Sequence, residues 1–120
     1  MSVSTNVNYT YEVLSSDIAS LKRDFPFLET GIIGYSILGR PIPYIRLGVG
    51  RNEVFYCASF HANEWITTPV LMKFIEDFCI ALVNGSSIFG ISADGIFNYS
   101  SIYIVPMVNP DGVDLVTRFF

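Results

Sequence analysis

Polar and apolar positions along this chain change period several times, and each change marks an element. In SSDIASLKRDFP, Leu14, Ile18 and Leu21 fall on one helical face, Ser15 or Ser16 can cap the start, and Pro26 stops the helix. Two short apolar runs, 31–36 and 42–47, flank Ile37-Leu38-Gly39-Arg40-Pro41 and read as a hairpin. The stretch 53–60, EVFYCASF, is apolar on both parities, which predicts a strand in the middle of a sheet, covered on each face. A second helix is predicted with Thr68 as cap and Pro69 at its first position, ended by Asn84-Gly85. Its expected buried stripe is Val70, Leu71, Phe74, Ile75, Phe78, Ala81 and Leu82, with Lys73, Glu76 and Asp77 facing water. A loop over 86–99 and a last strand over 101–106 complete the reading. Strand, helix, strand in that order predicts a parallel pair joined by a right-handed crossover. The expected class is α/β, with a mixed, mostly parallel sheet and flanking helices.

Composition sharpens this picture. The 120 residues make one domain at most. Charged residues are 15% and hydrophobic residues 51%, against roughly 25% charged in ordinary soluble domains. A small domain should need more polar surface, so the excess predicts burial against a partner or membership of a larger core. The net charge of −4 argues against nucleic acid. Uncharged runs over 78–93 and 95–110 are broken by Asn84-Gly85-Ser86-Ser87 and Asn98-Tyr99-Ser100-Ser101, so no membrane span is expected. The start, MSVSTNVNYTYEV, has neither basic residues nor an apolar core, which predicts no secretory signal and a cytoplasmic location. Cys57 and Cys79 lie in apolar segments and are expected as reduced thiols.

The chemistry gathers at FHANEW. His61, the chain's single histidine, follows the apolar strand, and Glu64 lies three residues on. Ligand sites in α/β sheets collect at the carboxyl ends of strands. An imidazole and a carboxylate at this spacing can face one ion and would make half of a zinc shell. The alternative is a partly buried histidine that only donates and accepts hydrogen bonds.

Three stretches, taken in order, resemble the zinc metallocarboxypeptidase family: IGYSILGRPI (33–42), HANEW (61–65) and VNPDGV (108–113). The YTYEVLSSDIASLKRDFPFL opening and VNPDGVDLV look most like the bacterial branch that cleaves γ-D-glutamyl–diaminopimelate bonds of peptidoglycan, whose full-length members can be directed to the cell wall. The resemblance implies the zinc carboxypeptidase, phosphorylase/hydrolase-like fold. It also implies one Zn2+ held by His61, Glu64 and a further histidine, with a distant glutamate base and an oxyanion arginine. Only His61 and Glu64 have counterparts here; no catalytic residue does, and the missing groups fall beyond Phe120 in the family's order. Residues 1–120 are therefore expected to be a single partial domain, the N-terminal portion of a catalytic domain, inactive in isolation. Asn63 stands where many members carry arginine against substrate, and is the candidate substrate contact.

Two other readings stay open. H-x-N-E is similar to related zinc deacylases that split N-acyl amino acids. A non-catalytic fragment could instead self-associate, because the strand from Glu53 to Phe60 would leave an open apolar edge that invites a homo-oligomer. The remaining motifs read as scaffolding. Gly34 to Gly39 is a hairpin, Gly48-Val49-Gly50 a turn, and Asn109-Pro110-Asp111-Gly112 a tight turn. Trp65 is expected to anchor packing and Arg40 to fix the hairpin; Arg118 has no assignable role. Cys57 is expected some 13 Å from His61 along an extended strand, and Cys79 roughly four helical turns away.

Overall fold

The computed structural model describes residues 3–119, Phe119 in its backbone alone. Helix α1 (Tyr11–Asp24) leads to the hairpin β1 (Glu29–Tyr35) and β2 (Pro41–Leu47), then β3 (Asn52–Cys57). A short 3-10 turn (Ala62–Glu64) enters α2 (Thr67–Val83). The small hairpin β4 (Ser87–Ile88) and β5 (Ile91–Ser92), helix α3 (Ala93–Tyr99), strand β6 (Ser100–Val105) and helix α4 (Pro110–Phe119) follow.

The main sheet runs β1-β2-β6-β3. The β3–α2–β6 unit gives the expected parallel pair, with Val54 opposite Ile102 and Phe55 opposite Tyr103. The sheet is mixed as expected, but the balance is corrected: β1–β2 and β2–β6 are both antiparallel. Inserting β6 between the hairpin and β3 produces this order. Ile45, Leu47, Ile102 and Ile104 face one side and join Met72, Ile75 and Phe78 of α2 in the core. On the other side Arg46 lies 5.5 Å over the Tyr103 ring.

Several boundaries differ from the sequence expectation for local reasons. Helix α1 starts earlier, because Thr10 rather than Ser15 or Ser16 is the cap, its Oγ1 accepting from the Val13 amide. Helix α2 is turned about its axis relative to the expected stripe. Val70 is 64% exposed, while Met72 and Cys79 are buried and Glu76 is only 1% exposed. Glu76 tolerates this because its carboxylate accepts from the Val3 amide at 2.9 Å and from Lys73 Nζ at 2.8 Å. Thr68 is not the cap; its hydroxyl is taken up inside the protein, as described below. The far end stops as expected, Gly85 at φ +66 placing Gly85 N on Leu82 O and Ser86 N on Ala81 O. The segment 86–99 is a hairpin and a helix rather than a loop, with Ser92 capping α3 through Gly95 N. Asn109-Pro110-Asp111-Gly112 is the start of α4, not an isolated turn: Asn109 Oδ1 accepts from Gly112 N, and Pro110 is the first helical residue.

Strand β3 is shorter than expected, and among the described residues it stands at the sheet's edge, as the open-edge reading expects. Phe55 and Tyr56 are 56% and 46% exposed, so neither face is fully covered. Ile37, Leu38, Tyr35, Phe89 and Tyr99 are exposed as well, which is where the excess apolar content resides. No helix among the described residues is long and apolar enough to cross a membrane.

Candidate metal centre

Beyond Cys57 the chain must leave the sheet and turn toward α2. Ser59 makes the turn in the left-handed region, φ +53, a strained conformation for a residue with a side chain. The strain is held by a chain of hydroxyls. Thr68 donates to Pro106 O at 2.6 Å, so Ser59 Oγ donates in turn to Thr68 Oγ1 at 2.5 Å. Thr67 Oγ1 accepts from the Ser59 amide and donates to Glu64 O, both at 2.9 Å. The Glu64 amide donates back to His61 O at 3.0 Å, closing the 3-10 turn.

That turn brings the two predicted residues together. His61 Nδ1 lies 2.8 Å from Glu64 Oε1, with side chains 77% and 57% exposed. They border a depression of about 350 Å³ lined also by Cys57, Ala58, Phe60 and Thr67. At its mouth His61 Nδ1 and Glu64 Oε1 share a hydrogen bond that is open to solvent. This donor chemistry fits a zinc half-shell. Among the described residues no third histidine, cysteine or carboxylate completes a cluster able to hold a metal. The chain turns at Ser59, and Cys57 lines the same depression as His61 and Glu64. Burial raises its thiol pKa, and it does not form a metal cluster with the pair. Cys79 is buried in the core; both cysteines are free. Asn63 is exposed between the two donors, and Trp65 packs against the core below them.

The other two motifs are supports. Asp111 accepts from Ser36 Oγ at 2.9 Å, Leu38 N at 3.0 Å and Arg40 Nη1 at 2.6 Å, locking the β1–β2 turn onto α4. Arg40 thus fixes the hairpin as expected, and its Nη2 reaches buried Asp114 at 3.3 Å. Arg118, which had no assignable role in the sequence pattern, pairs with Glu12 and Asp114. Sequence reasoning missed Ser59, Thr67, Thr68 and Asn109 as supports of the site. Asn109-Pro110 carries a usable signal, a capping residue followed by proline; the Ser59 turn carries none.

Residues 14–118 match the zinc carboxypeptidase family profile. The chain is 49% identical over 109 residues to gamma-D-glutamyl-L-diamino acid endopeptidase 1 of Lysinibacillus sphaericus, covering 91% of this chain and 28% of that protein. It is 28% identical over 108 residues to carboxypeptidase B of Astacus astacus, covering 87% and 33%. The chain thus spans between a quarter and a third of these relatives' length. Thrombin-activatable fibrinolysis inhibitor superposes with a TM-score of 0.80 at 21% identity, over 92% of this chain and 27% of that one. Carboxypeptidase A of Helicoverpa armigera superposes at 0.72 with 24% identity, over 89% and 26%. The parallel β3–β6 pair, the donors beyond its carboxyl end and the match over 14–118 have one common explanation: the chain belongs to the zinc carboxypeptidase family.

Proposed function

We propose that this chain contributes two zinc ligands, His61 and Glu64, to a metallopeptidase that cleaves γ-D-glutamyl–diamino acid bonds of peptidoglycan peptides. One observation carries the reading: the 2.8 Å approach of His61 Nδ1 and Glu64 Oε1 at an open depression. The 49% identity to the Lysinibacillus endopeptidase supports the substrate class. Zinc, when bound, would polarise the scissile carbonyl and activate water. The chain's own residues hold and orient: His61 and Glu64 present the donors, and Asn63, exposed between them, meets the substrate. In this reading the described residues are the N-terminal portion of a catalytic domain. The third ligand, the base and the oxyanion donor come from residues outside them. Zinc titration followed by the ring signals of His61, the single histidine, tests the site directly. A weak, saturable shift abolished by Glu64→Gln is expected; an unresponsive imidazole would remove the assignment. Hydrolysis of a γ-D-glutamyl–diaminopimelate peptide by this chain alone, blocked by a chelator, would show that the base lies within it.

A second reading, self-association, is favoured by the exposed Phe55 and Tyr56 on edge strand β3. Unpaired strand edges recruit other strands, so dimers or larger species should form and Phe55→Lys should dissociate them. Sedimentation equilibrium showing a monomer at high concentration would exclude it.

A further inference from the structure

The loop that carries His61 and Glu64 is braced from two directions. Beneath it lies the buried hydroxyl chain from Ser59 through Thr68 to Pro106 O. Beside it lies the first turn of α4, where Asn109 makes four separate bonds. Its amide donates to Ser59 O at 3.0 Å, and its carbonyl accepts from Val113 N at 3.0 Å. Its Oδ1 accepts from Gly112 N at 3.0 Å, and its Nδ2 donates to Phe60 O at 3.3 Å. The last bond is the side-chain link between α4 and the residue immediately before His61.

Gly112 shows how closely the two segments meet. A Cβ there would stand 2.5 Å from Asn109 Nδ2 and 3.0 Å from the Ala62 Cβ. The absent side chain lets α4 approach the 3-10 turn between the two donors, and it leaves Asn109 Nδ2 free to reach across. Capping alone needs only an oxygen acceptor at position 109. The Nδ2 bond to Phe60 O does nothing for α4 and acts wholly on the loop.

From this division of labour we infer that Asn109 is a positioning residue for the His61–Glu64 pair: its carboxamide nitrogen fixes the peptide that aims the imidazole at the carboxylate. The inference rests on the zinc-ligand reading for its consequence in metal binding, but not for the geometry. Removing a partner that orients a ligand typically costs about tenfold or more in metal affinity.

The test is Asn109→Ser, which keeps a neutral capping oxygen but is too short to reach Phe60 O. In the metal-free chain, nuclear Overhauser cross-peaks between the His61 ring and the Glu64 side chain read out the aim. They should weaken clearly below the wild-type intensity in Asn109→Ser, while its melting temperature stays close to wild type because the capping oxygen is kept. With zinc chloride as probe, the dissociation constant read at His61 should rise about tenfold. Asn109→Ala, which removes cap and brace together, should show the same weakened cross-peaks and melt earlier; Asn109→Gln, which retains a carboxamide, should recover part of their intensity. Undiminished His61–Glu64 cross-peaks in a folded Asn109→Ser chain would overturn the inference, whatever zinc does. Weakened cross-peaks in that variant, together with a wild-type His61 that ignores zinc, would uphold the positioning role and remove only the metal reading.

Discussion

Replacing Asp111 by asparagine keeps the shape of the side chain and removes its charge. The native carboxylate accepts three hydrogen bonds, from Ser36 Oγ, Leu38 N and Arg40 Nη1. An amide can retain one good acceptor oxygen, but its NH2 must then face donors. Hydrogen bonds to a charged group contribute about 1.5–3 kcal/mol each when fully buried. Arg40 is about a third exposed and the Leu38 amide lies at the surface, so water recovers much of the loss. We expect about 2 kcal/mol for the cluster, lowering the melting temperature of a domain of this size by about 8 °C. Acid provides a second check. Burial by itself raises the Asp111 pKa, but the Leu38 amide, Arg40 and Ser36 outweigh it and hold the carboxyl below its ordinary value. The stabilisation is therefore complete above the unfolded-state pKa of about 3.9 and is lost as pH falls through the lower folded value. Urea unfolding at pH 7, 5, 4 and 3 should show a constant gap between wild type and Asp111→Asn at the two higher values. The gap should close in the acid. A gap absent at pH 7, or one that persists undiminished at pH 3, would refute the clamp.

The core and surface allow three further checks. Glu76→Ala strands the Val3 amide and should cost about 2 kcal/mol, whereas Asp77→Ala, one residue on at an exposed site, should stay within about 0.5 kcal/mol by urea midpoint. A Cβ at Gly50 would lie 1.9 Å from the Tyr99 carbonyl carbon, so Gly50→Ala should unfold the chain or cost at least about 3 kcal/mol. Gly39→Ala, at φ +84 in open space, should cost only about 1 kcal/mol of backbone strain by the same measurement. Burial pushes the Cys79 thiol up to about 12 and also raises that of Cys57, which is only partly buried. An aromatic disulfide reagent at pH 8 should therefore label Cys57 alone in the native state, and Cys57→Ser should abolish that signal until the chain unfolds.

Elements with strong local signals are legible in the sequence: the hairpin around Gly39, the stop at Asn84-Gly85 and the parallel β3–β6 pair. Those decided by tertiary contacts are not. Periodicity assigns Glu76 to water because it reads charge as exposure, but the Val3 amide and Lys73 supply the partners that burial requires. The small hairpin and α3 lie in a run rich in glycine, serine and asparagine, where turn chemistry masks short elements. Apolar residues on both parities of 53–60 argue for a strand flanked on both sides, while the self-association reading expects an open edge; among the described residues β6 occupies one flank of β3 and none pairs on the other. At the site, residue type and spacing pick out His61 and Glu64, which the structure brings to 2.8 Å of each other. Their supports stay hidden, since a serine at positive φ and a brace from position 109 to position 60 leave no trace in local pattern.

The three motifs that together, in order, point to the family are in three dimensions one mechanical assembly. Ser36, Leu38 and Arg40 hold Asp111; Asp111 seats the first turn of α4; Asn109, at the head of that turn, holds the peptide before His61. Each contact is modest, but they act in series on the His61–Glu64 pair, whose geometry a proposed metal site would need met within about 0.5 Å. A disturbance at the hairpin should therefore reach the donors through α4, not through the sheet. Ser36→Ala and Asn109→Ser should then be less than additive in weakening the His61–Glu64 approach, because both loosen the same support. Full additivity would mean that the hairpin acts on the pair by a route independent of Asn109, and the arrangement in series would be refuted.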